Sequence, residues 1–450
     1  MKFKITKGLD LPISGEPKEA LDLSKKSTKV AVVGTDFVGM KPSMEVVEGD
    51  TVKLGQPLFK CKKNEGLVFT SPAGGKVLRI NRGEKRAFQS LEIEVSADEE
   101  AVSFENYITK NPMDYTKEEV EKLLLESGEW KYIRQRPYDK VATVGETPEA
   151  VFITAIDTNP LAPQPQFVID QFKEEFKSGI DVLSKLSKKR TYVCVAPDSR
   201  IDFFSDSEVR KVEFAGIHPA GLAGTHIHML DPVNPNKMVW HVGYQDVIAM
   251  GRLFMTGSLL TDKIISIGGP LASNPRYLKV RRGANVTELT EGETQKGTPL
   301  RVIAGSVFHG HVAEGPFAYL GAYTNQITAI EEDHKRVLLG WHSPGLNRFS
   351  IKPIYISKLM PWKKFNLGSS THGSPRAMVP TGNFEAVMPL DILPTQLLRA
   401  IESNDTDSAQ DLGALELAEE DMALMTFVST GKTDFGPVLR RNLETIEREG

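Results

Sequence analysis

Val151-Phe152-Ile153-Thr154-Ala155-Ile156 is a run of six residues of which five are apolar. A strand wetted on one side alternates apolar with polar residues, so an unbroken run reads as a strand covered on both faces. After it, Val168, Phe172, Phe176, Ile180 and Leu183 recur at helical spacing. Thr191-Tyr192-Val193-Cys194-Val195 then forms a second buried strand. Strand, helix and strand in this order predict a parallel, doubly wound α/β core from about residue 148 to 270, with Lys263-Ile264-Ile265-Ser266-Ile267 as a later strand of the same sheet.

On the amino-terminal side, residues 29–95 break into short apolar runs: Val30 to Val33, Val46-Val47, Gly66 to Phe69 and Lys76 to Ile80. Gly49-Asp50, Gly55-Gln56-Pro57 and Gly74-Gly75 supply turns, so a small β-sandwich or barrel is expected. Val46 to Leu58 with Ser71 to Val77 resembles the biotinyl/lipoyl hairpin domain. The tip reads Lys62-Lys63-Asn64-Glu65-Gly66, without the setting that marks an acylated lysine, and an unmodified module of that fold is favoured. Thr116 and Glu119 fit a capping box that opens a charged helix. Residues 277–332 return to strands and glycine turns. Beyond them, Leu393-Pro394 opens a helix carrying Leu397, Leu398 and Ile401. Asn404 to Ser408 reads as a polar linker, and Leu415 to Phe427 and Val438 to Arg448 as further helices.

The chain has 450 residues, 40% hydrophobic and 25% charged, which predicts about three ordered domains. Net charge is −4 and no basic stripe gathers, which argues against nucleic acid as a partner. The amino terminus has no signal-peptide core. Val247 to Leu260, the best candidate span, is short and contains Arg252; its Ile248, Gly251, Phe254 and Met255 suit a buried amphipathic helix. A soluble chain that meets membranes through a partner is expected.

Cys61 and Cys194 are the only cysteines, too few and too far apart for an iron–sulfur cluster. Gly34 to Pro42 misses the P-loop pattern, because Met40 stands where lysine is needed. Ala155 to Pro160 carries no glycine fingerprint for a dinucleotide, and no G-x-S-x-G elbow supports a hydrolase. His226-Ile227-His228 and His309-Gly310-His311 would each point to one side of a strand. Either pair could hold a metal, donate to a quinone carbonyl, or consist of ordinary satisfied histidines; no third ligand is near in sequence, and no metal set and no catalytic residue is assigned.

The module order resembles electron-transfer subunits of the complex I flavoprotein and RnfC type. Ile5 to Ile13, Gly49 to Phe59, His218 to His228, Gly268-Gly269-Pro270 and Asp434 to Arg440 sharpen the likeness to the NqrA family, a subunit family of the Na⁺-translocating NADH:quinone reductase. That resemblance implies an α/β multidomain fold. Its parts are a biotinyl/lipoyl-like β domain with an amino-terminal arm (1–100), a Rossmann-like core without a flavin site (101–276), a β-grasp, SLBB-like domain (277–335) and a helical carboxy-terminal region without cluster cysteines (336–450). It implies a peripheral component on the cytoplasmic side of the bacterial inner membrane. Its partners would be five other subunits, one of them membrane-embedded, that carry FMN, riboflavin and iron–sulfur centres. Ubiquinone is the implied substrate of a pump that exports Na⁺; this chain would bind no cofactor and would not catalyse alone. Bulky His226, His228 and Tyr244 stand where flavin-bearing relatives have glycine loops; with His218 they follow the α/β strands whose carboxyl ends form the crevice, and these four are the candidate quinone-binding residues. A purely structural docking role in the same complex is the alternative.

Overall fold

The apolar run forms the strand Ala150–Ala155, inside a seven-stranded sheet. The computed structural model describes residues 1–202, 208–335 and 340–449. Ala150–Ala155 is flanked in parallel by Arg190–Val195 and Val239–Gly243, and Val209–Gly216 and then Lys2–Ile5 continue the parallel set. The expected covering on both faces is present. Val151 and Ile153 point into one core with Phe176, Ile180 and Val247, whereas Phe152 points into another with Ala223 and Ile227.

Helices Lys173–Ser184 and Tyr244–Thr256 pack on the first face so closely that two glycines are required. A Cβ on Gly251 would lie 1.8 Å from the Glu175 carbonyl oxygen, and one on Gly179 would lie 2.1 Å from that of Val247. Ile248 and Phe254 are buried as expected, and Met255 is the more exposed member of that group.

The strand Asp262–Gly268 corrects the expectation that residues 263–267 extend this parallel sheet. It pairs antiparallel with Arg276–Arg281 and parallel with Gln326–Glu331 in a separate six-stranded sheet. The physical reason is that both edges of the parallel set are already occupied. Arg134–Arg136 lies antiparallel against Val239–Gly243 on one side, and Lys2–Ile5 closes the other. A strand with apolar residues on both faces suits the second sheet equally: Ile265 and Ile267 enter its core while Ile264 joins the main one.

The amino-terminal β region consists of a four-stranded and a three-stranded sheet that share one core, with Phe59 stacked on Phe69 at 4.6 Å. Its hairpin Pro57–Cys61/Val68–Thr70 does not end in a free arm. Asn64 at the tip donates to the Ala142 carbonyl at 3.0 Å and accepts from the Val144 amide at 3.0 Å. The first residues stitch the molecule together: Lys18–Asp22 pairs with Arg276–Arg281, and Ile13 bridges Phe365.

Near the carboxy terminus, Pro394–Ser403, Glu419–Val428 and Phe435–Glu449 are helices around one core. The polar stretch read as a linker turns into a short helix, Thr406–Asp411, capped by Asp405, whose side chain accepts from the Ser408 amide. Local capping chemistry overrides composition there. Cys61 and Cys194 are free and buried in strands. Among the described residues, no helix is long and apolar enough to cross a membrane.

Gly251→Ala tests the helix contact. Helix propensity favours alanine by about 1 kcal/mol, whereas forcing a methyl into a packed backbone contact costs about 1–3 kcal/mol or more. A lower urea midpoint by far-ultraviolet dichroism is therefore expected; an equal or higher midpoint would contradict the packing described.

Candidate functional site

From Ala150–Ala155 the chain crosses to Arg190–Val195 and Val209–Gly216 on one side, then returns to Val239–Gly243 on the other. Two neighbouring parallel strands whose connections depart in opposite directions leave a crevice beyond their carboxyl ends. A cavity of about 310 Å³ lies there. Thr154, Ile156 and Asp157 line it from the first strand end, and Gly243 and Tyr244 from the second. The other walls come from distant segments: Asp36 from the β region, Ser306, His309 and His311 from the six-stranded sheet, and Glu419 and Glu420 from a carboxy-terminal helix.

Tyr244 begins its helix at the cavity wall and is 2% exposed. Burial keeps its phenol protonated, raising its pKa well above the ordinary tyrosine value. The Gln245 amide nitrogen donates to the phenol oxygen at 3.5 Å and to the Ile264 carbonyl at 2.7 Å, while the Gln245 oxygen accepts from the Ile264 amide at 2.9 Å. Among the described residues, the phenolic hydrogen has no acceptor within bonding distance.

Carboxyl groups dominate the remaining wall. Burial raises the pKa of Asp157, although the Asn159 amide and side chain both donate to it, at 2.9 and 3.0 Å. Burial also raises Asp36, which accepts from the Ala322 amide at 2.7 Å. Asp139 goes the other way: burial opposes its charge, but Arg134 and Arg136 hold it well below the ordinary carboxylate range. His241 Nε2 donates to Asp139 at 2.8 Å. A phosphate or nucleotide entering this space would meet clustered carboxylates, so the donor set fits an uncharged ligand better than an anion.

Of the four side chains expected to bind ligand, Tyr244 lines the cavity. His218 lines a separate gap of about 10 Å³, too small for an organic ligand. Its ring stacks on Phe308 at 5.0 Å, and its Nδ1 lies 3.0 Å from the Thr158 hydroxyl. The histidines 226 and 228 correct the strand reading, since both belong to the helix Ala223–Leu230. Residues two apart on a helix point to different sides. His226 is buried against Phe214 and its Nε2 donates to the Ala220 carbonyl at 2.9 Å. His228 accepts at Nε2 from the Asp391 amide at 2.9 Å, so its Nδ1 carries the proton and donates to Glu416 at 2.8 Å. The second pair behaves differently: His309 and His311 both line the cavity. Their Nε2 atoms meet Asn159 and the Phe317 carbonyl at 3.2 and 3.0 Å. No group of three or more potential metal ligands occurs among the described residues.

Arg136, Asp139 and Glu420 escape sequence inspection. Arg136 is wholly buried, donating to Asp139 at 3.1 Å, to Asp421 at 3.1 Å, to the Glu416 carbonyl at 2.9 Å and to Glu420 at 3.4 Å. The only local signal is two arginines and an aspartate around Pro137; the Glu416, Glu420 and Asp421 partners lie at least 280 positions away.

Three family models match this chain: the NqrA N-terminal barrel-sandwich hybrid domain over residues 3–96, the NqrA second alpha/beta domain over 115–259, and the NQRA C-terminal domain over 264–315. Full-length relatives are similar throughout. The NqrA component of the Na(+)-translocating NADH-quinone reductase of Alcanivorax borkumensis is 53% identical, with 100% of both chains covered. The corresponding proteins of Hahella chejuensis and Vibrio vulnificus are each 49% identical, covering 100% and 99% of both chains.

Two outcomes check the electrostatics. Burial lowers His226 from 6.5 to about 4 and His218 to about 3. The unfolded chain therefore takes up these protons first, so stability is intact above pH ~6.5 and is lost as pH falls towards 4, by on the order of 3 kcal/mol per histidine. His226→Gln, which cannot titrate, should shallow that acid limb by about one proton in urea titrations; an unchanged slope would exclude the assignment. Arg136→Met removes the cation from buried carboxylates and should cost about 3–5 kcal/mol, with the carboxy-terminal helices cut first in limited proteolysis.

Proposed function

Because this chain belongs to the NqrA family of the Na⁺-translocating NADH-quinone reductase, we propose that it is the peripheral, cytoplasmic-side component of that pump and that its cavity receives the ubiquinone head group. The observation that carries the reading is Tyr244: a buried phenol at the switch point, protonated, with its hydrogen unassigned. A quinone ring is neutral and presents two carbonyl acceptors. It suits a space of this volume, walled partly by Ile156 and Leu222, where an anion would be repelled.

Reduction to quinol takes two electrons and two protons. The electrons would come from FMN, riboflavin and iron–sulfur centres on the five partner subunits, including a membrane-embedded one. This chain would bind and orient the ring without a redox centre of its own. Tyr244 would donate to one carbonyl, His309 and His311 would flank the ring, and Asp36 and Asp157, which burial pushes towards the protonated form, would return protons. His218, His226 and His228 would act behind the wall, fixing the loop and the carboxy-terminal helices. We read the parallel-sheet domain as Rossmann-like and the last helices as a module without cluster ligands; of the four spans 1–100, 101–276, 277–335 and 336–450, the second and third meet nearer residue 262, where the strand Asp262–Gly268 enters the six-stranded sheet.

A structural docking role is the second reading. It is favoured by the way Glu419 and Glu420 fill the crevice wall. Tyr244→Phe in the assembled complex separates the two. Loss of one hydrogen bond of about 1–1.5 kcal/mol should raise the quinone KM roughly 5- to 10-fold while NADH-driven flavin reduction is unchanged. An unaltered KM, together with photoaffinity quinone labelling confined to other subunits, would leave only the docking role.

A further inference from the structure

Residues 340–384 contain six lysines and arginines and not one aspartate or glutamate, in a chain whose net charge is −4. Over this length the backbone forms two 3-10 turns, isolated bridges at Phe365 and Gly368 and the start of one short helix. The segment is nevertheless anchored. The Phe365 amide donates to the Pro12 carbonyl at 2.7 Å, its carbonyl accepts from the Ser14 amide at 3.0 Å, and Phe349 packs between Phe365 and Phe427. What it displays outward is unusual for a water-facing surface: Ile354 is 69% exposed, Leu359 78% and Trp362 77%. Lys352, Lys358 and Lys364, each within two residues of one of them in sequence, are exposed as well. Among the described residues, no lysine or arginine of this segment forms an ion pair with a carboxylate; Lys352 and Lys363 bond only to Thr381, Leu346 and Asn347.

We infer that the surface centred on Leu359 and Trp362 is the face by which this chain docks onto another subunit of its complex, and that the partner presents an apolar segment bearing carboxylates. Exposed cations without counter-charges, interspersed with exposed large apolar side chains, are complementary to an acidic and apolar partner. A bilayer fits less well. Segments that lie in the membrane interface form amphipathic helices with one continuous apolar face, whereas the stretch 352–364 is irregular apart from one 3-10 turn and offers no such face.

The inference rests on membership of a multisubunit complex and not on quinone binding, so either can fail alone. A photo-cross-linking amino acid placed at position 362 in the assembled complex should join this chain to another subunit, at a peptide containing aspartate or glutamate. The double variant Lys358→Glu/Lys364→Glu should lower that yield at least roughly fivefold and make the chain dissociate at lower salt, while its own melting temperature stays put. Cross-linking to lipid alone, with the purified chain floating on phosphatidylglycerol vesicles, would overturn the inference in favour of a membrane contact. So would a charge-reversed chain that assembles and cross-links like the original.

Discussion

The buried guanidinium of Arg136 is the constraint on which the rest of the molecule turns. A cation with no exposure to water needs compensating charge supplied at short range, and three carboxylates from two parts of the chain supply it. Asp139 comes from the same turn, whereas Glu420 and Asp421 come from the carboxy-terminal helix. The helical unit therefore cannot leave the α/β core without stranding charge. Neighbouring contacts follow the same seam. Arg440 forks onto Glu419 and reaches the Tyr138 carbonyl, and His228 ties Glu416 and Asp391 together. These contacts place Glu419 and Glu420 at the wall of the crevice.

A cavity assembled in this way is polar for a reason. Strand ends and helix starts bring backbone groups and short polar side chains, and the carboxy-terminal helix brings carboxylates that Arg136 and Arg134 partly neutralise. The net result disfavours anions and leaves the Tyr244 phenol among the uncharged groups on the wall. The amino-terminal arm contributes by a different mechanism. Its strand Lys2–Ile5 seals one edge of the parallel sheet, while Lys18–Asp22 extends the six-stranded sheet, so both sheets are held in place by the first residues of the chain.

The two cysteines and the first histidine pair do not line the cavity. Burial pushes the Cys194 thiol well above its ordinary value, which leaves it inert within its strand. His226 and His228 occupy one helix yet serve different neighbours, one the loop beneath it and the other the carboxy-terminal module. The exposed basic and apolar surface around Trp362 lies on a segment without long helices or strands, where neither buried core nor charge pairing accounts for its composition.

Local chemistry made much of the fold legible. Two-sided burial of Val151 to Ile156, the capping box at Thr116, the helix opened by Pro394 and the tight hairpin turns are all properties of a few consecutive residues. So was the place of the crevice, because one at strand ends follows from the parallel topology, and Tyr244 was readable as a residue after such a strand. Sheet membership was not. Asp262–Gly268 has a pattern that suits either sheet, and only competition for a filled edge decided it. The helical setting of His226 and His228 likewise depended on tertiary packing, since His-x-His has no period of its own. The Arg136 cluster was hidden most completely: its carboxy-terminal partners are separated from it by more than 280 residues, and electrostatic pairing depends on distance in space, which one sequence does not contain.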